Sequence, residues 1–325
     1  MQAQQPESQA KVLAVGQLYQ DFILHVDHFP EEDAKKRANN LEIRSGGNCG
    51  NTLRVLSQFP GVSAWCMSSL GSKAEAGGLL QVLEDQHVHT STCVFHDHGL
   101  NPSSYIIHAS DTGTRTIISY NKTEDLTLED FVAKVEQAST DHKFHWVHFE
   151  GRNVNNAVKQ IEWLDNKALH EGWRNQLTIS VELEKPDRED IDSLLDKGDV
   201  VFFSKLFAER RGFNQAHEFL KAYAERCQPH ALIFCTWGAQ GATCLHRPSQ
   251  ELFESPSIPI EQVRDTVGAG DSFTAGVIYG LSNKWSVKDA LEFSCELAGR
   301  KVAQSGFDRL YEQMIPSLQR FSLRR

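Results

Sequence analysis

The segment Asp265-Thr266-Val267-Gly268-Ala269-Gly270-Asp271-Ser272-Phe273 sets a glycine-rich turn and a carboxylate at the head of an apolar helical stripe. Amides in the first turn of a helix lack intrahelical acceptors and favour anions, and the small residues Gly268, Ala269 and Gly270 let a phosphate approach the backbone. Asp271 can then take a proton from an attacking hydroxyl while the amides stabilise charge on a transferred phosphoryl group. The same residues also read as an ordinary turn with an acid favouring the helix start, and the bare pattern does not separate the two.

A second cluster, Ser45-Gly46-Gly47-Asn48-Cys49-Gly50-Asn51, leads into a helix bearing Leu53, Val55, Leu56 and Phe59. Asn48 and Asn51 are three apart and share a helix side, and their amides donate and accept hydrogen bonds as recognition of several sugar hydroxyls requires. A capped helix with a tight entrance fits equally well. Asp21, after a glycine-ended strand, can hold two sugar hydroxyls or stay a solvated loop acid. Arg115 and Arg152 sit at strand edges, where arginine bridges phosphate oxygens or makes a weak surface ion pair. Trp237-Gly238-Ala239-Gln240-Gly241-Ala242, after an apolar strand, leaves backbone room for a nucleotide or forms a plain strand-to-strand turn.

These groups need a scaffold. Residues 12–16 form a short apolar run ending in glycine, which suits a buried strand opening toward a ligand. Residues 21–29 and 38–44 are more polar strands around a solvated turn, and 103–109 with 115–120 form a hairpin; together they predict a small β lid. From residue 144 strands alternate with helices: 146–150 then 154–168, 178–183 then 188–195, 200–203 then 214–225, and 231–235. Two helices follow at 271–281 and 287–302. This order predicts a mainly parallel sheet flanked by helices, within one domain of residues 11–310 behind a disordered tail of residues 1–10.

The formal charge of −10 argues against broad binding to nucleic acid or an anionic membrane, so any anion site must be local. Seven scattered cysteines without CxxC spacing read as thiols in a reducing, cytoplasmic compartment and imply no cofactor. Neither a signal peptide nor a membrane span is visible.

Taken in order, GGNCGN, GTRT, EGRN, WGAQGA and DTVGAGDSFTAG resemble the pfkB or ribokinase-like family of carbohydrate kinases over about residues 12–310. HFEGRN, SVELEKP and the GFD at residues 306–308 bring the chain nearest to the family's ketohexokinase subgroup. The resemblance implies a ribokinase-like α/β fold whose lid clasps that of a second subunit in a homodimer. It also implies transfer of the ATP γ-phosphate to the 1-hydroxyl of D-fructose or a related ketose, with Mg2+ bridging phosphates and a K+ requirement left open. By position, Asp21, Gly47, Asn48 and Asn51 would hold the sugar, with Asp33 from a lid loop adding a contact in the partner subunit and Arg152 nearby. Arg115 would contact ATP phosphates, Gly238, Ala239, Gln240 and Gly241 would line the nucleotide, and Gly268, Ala269, Gly270 and Asp271 would form the anion hole and base. Many members carry an NxxE element where this chain has Ser204-Lys205-Leu206-Phe207, so the metal ligands stay unassigned. A family kinase for another sugar or a nucleoside, and a catalytically silent sugar-binding regulator, are the alternatives.

Overall fold

The computed structural model describes residues 10–97, 99–139 and 143–322. Residues 1–9 of the expected tail lie outside the described residues, whereas Ala10 already pairs with Val62. In chain order the strands are β1 (Ala10–Val15), β2 (Tyr19–Val26), β3 (Asn40–Gly46), β4 (Val62–Met67), β5 (Ser69–Leu70), β6 (Val94–Phe95), β7 (Ser103–Ala109) and β8 (Thr114–Tyr120). They continue with β9 (Trp146–Glu150), β10 (Thr178–Leu183), β11 (Val200–Phe203), β12 (Leu232–Thr236), β13 (Ala242–His246) and β14 (Glu251–Ser255). The helices are α1 (Asn48–Leu56), α2 (Lys73–Glu84), α3 (Leu128–Ala138), α4 (Val154–His170), α5 (Lys205–Arg210), α6 (Ala216–Tyr223), α7 (Ala269–Ser282), α8 (Val287–Val302) and α9 (Leu310–Ser322).

Eight strands form one sheet in the order β14-β13-β12-β11-β10-β9-β1-β4. The six from β12 to β4 run parallel, which is why β11, Val-Val-Phe-Phe, is buried on both faces. Leu13, Phe149 and Phe203 pack on one side with Phe131, Ile161 and Phe219, and Val12 and Phe234 pack on the other with Val55, Phe273 and Phe293. Helices therefore cover both faces. The order reverses between β9 and β1, and in such sheets ligands bind outside the carboxyl ends of the strands at that point.

A second sheet, ordered β3-β2-β7-β8, forms the lid. Its strands alternate. Asp21, Glu42, Arg44, Ser104 and Arg115 face the cavity below, while Leu24, Leu41, Tyr105 and Ile118 lie on the opposite face and are exposed.

Three local expectations differ from the structure. Residues 188–195 hold only a short 3-10 turn, Ile191–Leu194, because Asp190 takes a left-handed conformation that a helix cannot continue through. The expected helix at 214–225 is preceded by α5, whose first turn is capped by Ser204 Oγ accepting from Phe207 N at 3.0 Å. Antiparallel β13 and β14 extend one sheet edge, and α9 continues the chain past residue 310, burying Met314 and Phe321 against α8.

Candidate active site

The carboxyl ends of β9, β10 and β11, the first turn of α7 and the inner face of the lid enclose a cavity of about 1010 Å³. That size suits a small substrate together with the phosphates of a nucleotide. Arg152, Glu182, Glu184 and Ser204 reach it from the loops and ends of the parallel strands.

Asp271 is buried in the first turn of α7, and its Oδ2 accepts a hydrogen bond from Asn51 Nδ2 at 2.7 Å. Thr52 Oγ1 donates to the Asp271 carbonyl at 3.3 Å, tying α1 to α7. Burial, and then the negative charge of Glu182, push the Asp271 carboxyl well above the usual carboxylate range; Glu184 and Glu150 add to this, and the Asn51 bond opposes it. A raised proton affinity suits a group that must take a proton from an alcohol. Gly268 caps the helix with φ of 78°, and a Cβ there would overlap the Phe307 ring. Gly270 has open space where a side chain would project.

The asparagine cluster meets the cavity as its helical spacing requires. Asn48 Nδ2 donates to Glu182 Oε1 and Glu184 Oε2, each at 3.2 Å, while Asn51 serves Asp271. Gly47 holds φ of 95° against the Gln17 carbonyl, a position that excludes a side chain. Neighbouring Gly46 leaves space that the Asp21 carboxylate fills, and burial raises the Asp21 pKa despite a bond from Ser104 and the charge of Arg44. Arg152 Nε donates to Glu150 Oε1 at 2.7 Å and its guanidinium lies 5.2 Å from the Tyr19 ring centroid, so it is fixed at the cavity wall.

On the other side of Asp271, buried Asp265 gathers cations. Lys301 Nζ lies 2.9 Å from its Oδ2, and Arg44 and Arg115 reach it at 3.6 Å. The two arginines come from β3 and β8, the opposite edges of the lid sheet. Burial raises the Asp265 pKa, but the bond and charge of Lys301, with the amides of Val267 and Gly306, outweigh it and hold the carboxyl below its ordinary value.

Of the residues singled out from the sequence, Asp21, Gly47, Asn48, Asn51, Arg115, Arg152, Gly268, Ala269, Gly270 and Asp271 line this cavity together. Gly238, Ala239, Gln240 and Gly241 do not. They form the turn between β12 and β13, in which Gly238, Ala239 and Gln240 are exposed and Gly241 is buried against the Ser255 carbonyl, with φ of 59° at Gly238 and 96° at Gly241. Asp33 is exposed in a turn outside the cavity of its own chain. Ser204 is occupied in capping α5 and in donating to the Glu184 carbonyl at 2.6 Å. Sequence reasoning passed over Arg44, Glu182, Glu184 and Lys301. Alternation in β3 was a usable signal for Arg44, as was the Glu-Leu-Glu spacing across the carboxyl end of β10 for the two acids.

The pattern of the pfkB family carbohydrate kinases matches residues 9–313. The chain is 36% identical to ketohexokinase of Mus musculus over 298 residues, which span 92% of this chain and 98% of that protein. Its fold superposes on a ribokinase-like crystal structure, a putative ribokinase from Agrobacterium tumefaciens, with TM-score 0.78 and 18% identity, covering 98% of this chain and 99% of that one. Ribokinase from Giardia lamblia gives TM-score 0.77 and 18% identity, covering 97% and 100%. Among the described residues no helix is long and apolar enough to cross a membrane. With its fold, its glycine turn and acid beneath an arginine-bearing lid, and these likenesses, the chain is an ATP-dependent carbohydrate kinase that belongs to the pfkB family.

Proposed function

We propose that the enzyme transfers the γ-phosphate of ATP to the 1-hydroxyl of D-fructose or a related ketose, with Asp271 as general base. The observation that carries this reading is the buried Asp271 carboxyl at the head of α7, beside the exposed Gly270 in the cavity wall; Ala269 N donates to the Thr266 carbonyl at 3.3 Å, a long bond that a phosphate can replace. Asp21, Gly47, Asn48 and Asn51 hold the sugar, with Arg152 at the wall. Asp271 takes the hydroxyl proton, the new O–P bond forms as the bond to ADP breaks, and the amides of Gly268, Ala269 and Gly270 meet the charge on the transferred group. Arg115 and Arg44 leave Asp265 for the ATP phosphates. The nucleotide lies along the turn of Gly238, Ala239, Gln240 and Gly241, outside the sugar cavity.

Glu182 and Glu184 offer hard oxygen donors and both accept from Asn48 Nδ2; burial and then the charge of Glu182 raise the Glu184 pKa, a shift that a cation bound between them would oppose. They would hold Mg2+, which when bound would neutralise phosphate charge. The exposed row of Leu24, Leu41, Tyr105 and Ile118 on the outer lid supports a homodimer through paired lids, in which Asp33 reaches the partner's sugar. Seven buried free cysteines fit a reducing, cytoplasmic setting.

The test is ADP release with Mg-ATP across D-fructose, other ketoses, ribose, adenosine and a no-sugar blank, with and without K+, followed by identification of the phosphorylated position. Fructose 1-phosphate as product supports the reading. Another acceptor replaces the substrate and keeps the mechanism, and silence across the panel points to a sugar-binding regulator.

A further inference from the structure

Lys301, in the last turn of α8, is fully buried. An ammonium taken out of water is costly unless it is paired and hydrogen-bonded. Its partners are concentrated on one residue: Nζ lies 2.9 Å from Asp265 Oδ2 and donates to the Asp265 carbonyl at 3.1 Å. It also sits 5.1 Å from the centroid of the Phe307 ring, the ring that lies against Gly268. The segment from residue 256 to 266 is neither helix nor strand, so no sheet or helix ladder fixes it. Its end is held instead by Arg264 N and Asp265 N, which donate to the Val302 carbonyl at 2.9 and 3.2 Å, and by the Asp265 carboxylate, which carries the hold into the glycine turn by accepting from Val267 N at 3.1 Å and from Gly306 N at 3.4 Å. A clamp of this kind matters because amides stabilise a transferring phosphoryl group only when they are held in place beforehand.

We infer that Lys301 is a positioning residue for phosphoryl transfer: through Asp265 and Phe307 it holds the turn at Val267 and Gly268, and with it the amides that open α7. The inference rests on reading that turn as the anion hole. Lys301 touches no substrate and gains or loses no proton in the reaction.

The experiment uses Lys301→Met, Asp265→Asn and, as a control, Leu297→Ala, which empties a buried site one helical turn before Lys301 and leaves the ion pair to Asp265 in place. Each variant is melted, assayed for turnover with D-fructose well below its melting temperature, and titrated calorimetrically with Mg-ATP and with adenosine. Lys301→Met and Asp265→Asn are expected to bind ATP about tenfold more weakly, with adenosine unchanged, and to lose roughly 10²-fold in kcat with KM for sugar within twofold, the scale of a small misplacement at a reacting centre. Leu297→Ala is expected to lose melting temperature while keeping kcat within twofold. Normal ATP affinity and kcat in a folded Lys301→Met overturn the inference, as does a Leu297→Ala that loses as much kcat for the same fall in melting temperature. If Lys301→Met does not fold, Asp265→Asn decides, and normal activity there overturns it. A wild-type protein that binds no ATP removes the anion-hole reading itself, whereas one that binds ATP no better than Lys301→Met removes only this inference.

Discussion

Two glycines in the same turn separate a backbone role from a ligand role. At Gly268, φ of 78° costs a side chain about 1–3 kcal/mol. The Phe307 ring in the space of a Cβ adds an overpacking cost of about 1–3 kcal/mol. Gly268→Ala should therefore lose about 2–6 kcal/mol, visible as a lowered melting temperature. Gly270 is different: it is in the first turn of α7, its φ is not positive, and an added Cβ meets nothing within 4 Å. Alanine there should leave stability unchanged or raise it by up to about 1 kcal/mol, the usual gain over glycine in a helix. The empty space is where a phosphate must lie if it is to reach the backbone. Gly270→Ala should thus melt no lower than wild type and yet lose about 10²-fold in kcat/KM for ATP, since a displacement near 1 Å at the reacting centre costs that much. Thermal melting paired with coupled ADP release over a range of ATP concentrations reads both quantities. A Gly270→Ala enzyme with normal kcat/KM would show that no phosphate approaches this amide, and the anion-hole reading would fail there.

Asp271→Asn should keep sugar binding by calorimetry and lose most turnover, because base catalysis acts mainly in the transition state; near-normal turnover would rule out Asp271 as the base. Because Glu182 helps to push the Asp271 pKa up, Glu182→Gln should lower it, leaving more of the base ionised at a given acidic pH and moving the acid limb of kcat/KM to lower pH; an unmoved or upward-shifted limb contradicts the assignment. Gly46→Ala places a methyl where the Asp21 carboxylate lies, so KM for sugar should rise about 10–100-fold, the worth of a charge-assisted hydrogen bond of roughly 1.5–3 kcal/mol, with little change in melting temperature. Ile118→Glu on the outer lid should convert a dimer into a monomer by light scattering on a sizing column, and a wild-type chain that is already monomeric at micromolar concentration removes the paired-lid reading.

Much of the scaffold was legible because its signals are local. Residues 178–183, 200–203 and 287–302 coincide with β10, β11 and α8, since continuous apolar runs and a clear 3.6-residue stripe leave few alternatives. The lid strands were visible through alternation: 103–109 matched β7 at both ends and 115–120 missed only the first residue of β8, whereas 21–29 and 38–44 were shifted by two or three residues against β2 and β3, where a polar strand offers little burial to mark its boundary. The helix expected at 188–195 failed because one left-handed residue, Asp190, outweighs a favourable pattern. Lys301 was hidden by the opposite problem. Beside Arg300 in the last turn of α8, it reads as a solvated cation favoured by the helix dipole, yet it falls on the buried stripe of Ala290, Ser294 and Leu297. That stripe was the available signal, and only the partner, 36 positions away at Asp265, explains the charge.

On the proposed reading, with Asp271 as the base and the glycine turn meeting phosphate, the distribution of charge in the cavity would give the reaction a direction that no single residue supplies. Glu150, Glu182 and Glu184 stand on the sheet side of Asp271, and their charge, after burial itself, is what raises its proton affinity. Arg44, Arg115 and Lys301 all converge on Asp265, at the other end of the same glycine turn. A hydroxyl between these groups finds its proton drawn toward the acidic side while charge developing on phosphoryl oxygens is met on the basic side, so the separation favours proton and phosphoryl movement in opposite senses. Mixing the two sets would weaken both effects, because an arginine beside Asp271 would lower its proton affinity and an acid beside the amides would repel phosphate. Asp265 stands on the basic side paired with Lys301 from beneath and with the two lid arginines at 3.6 Å, and Glu42 holds Arg44 from within the lid, so a phosphate takes the place of Asp265 at Arg115 and competes with both carboxylates at Arg44.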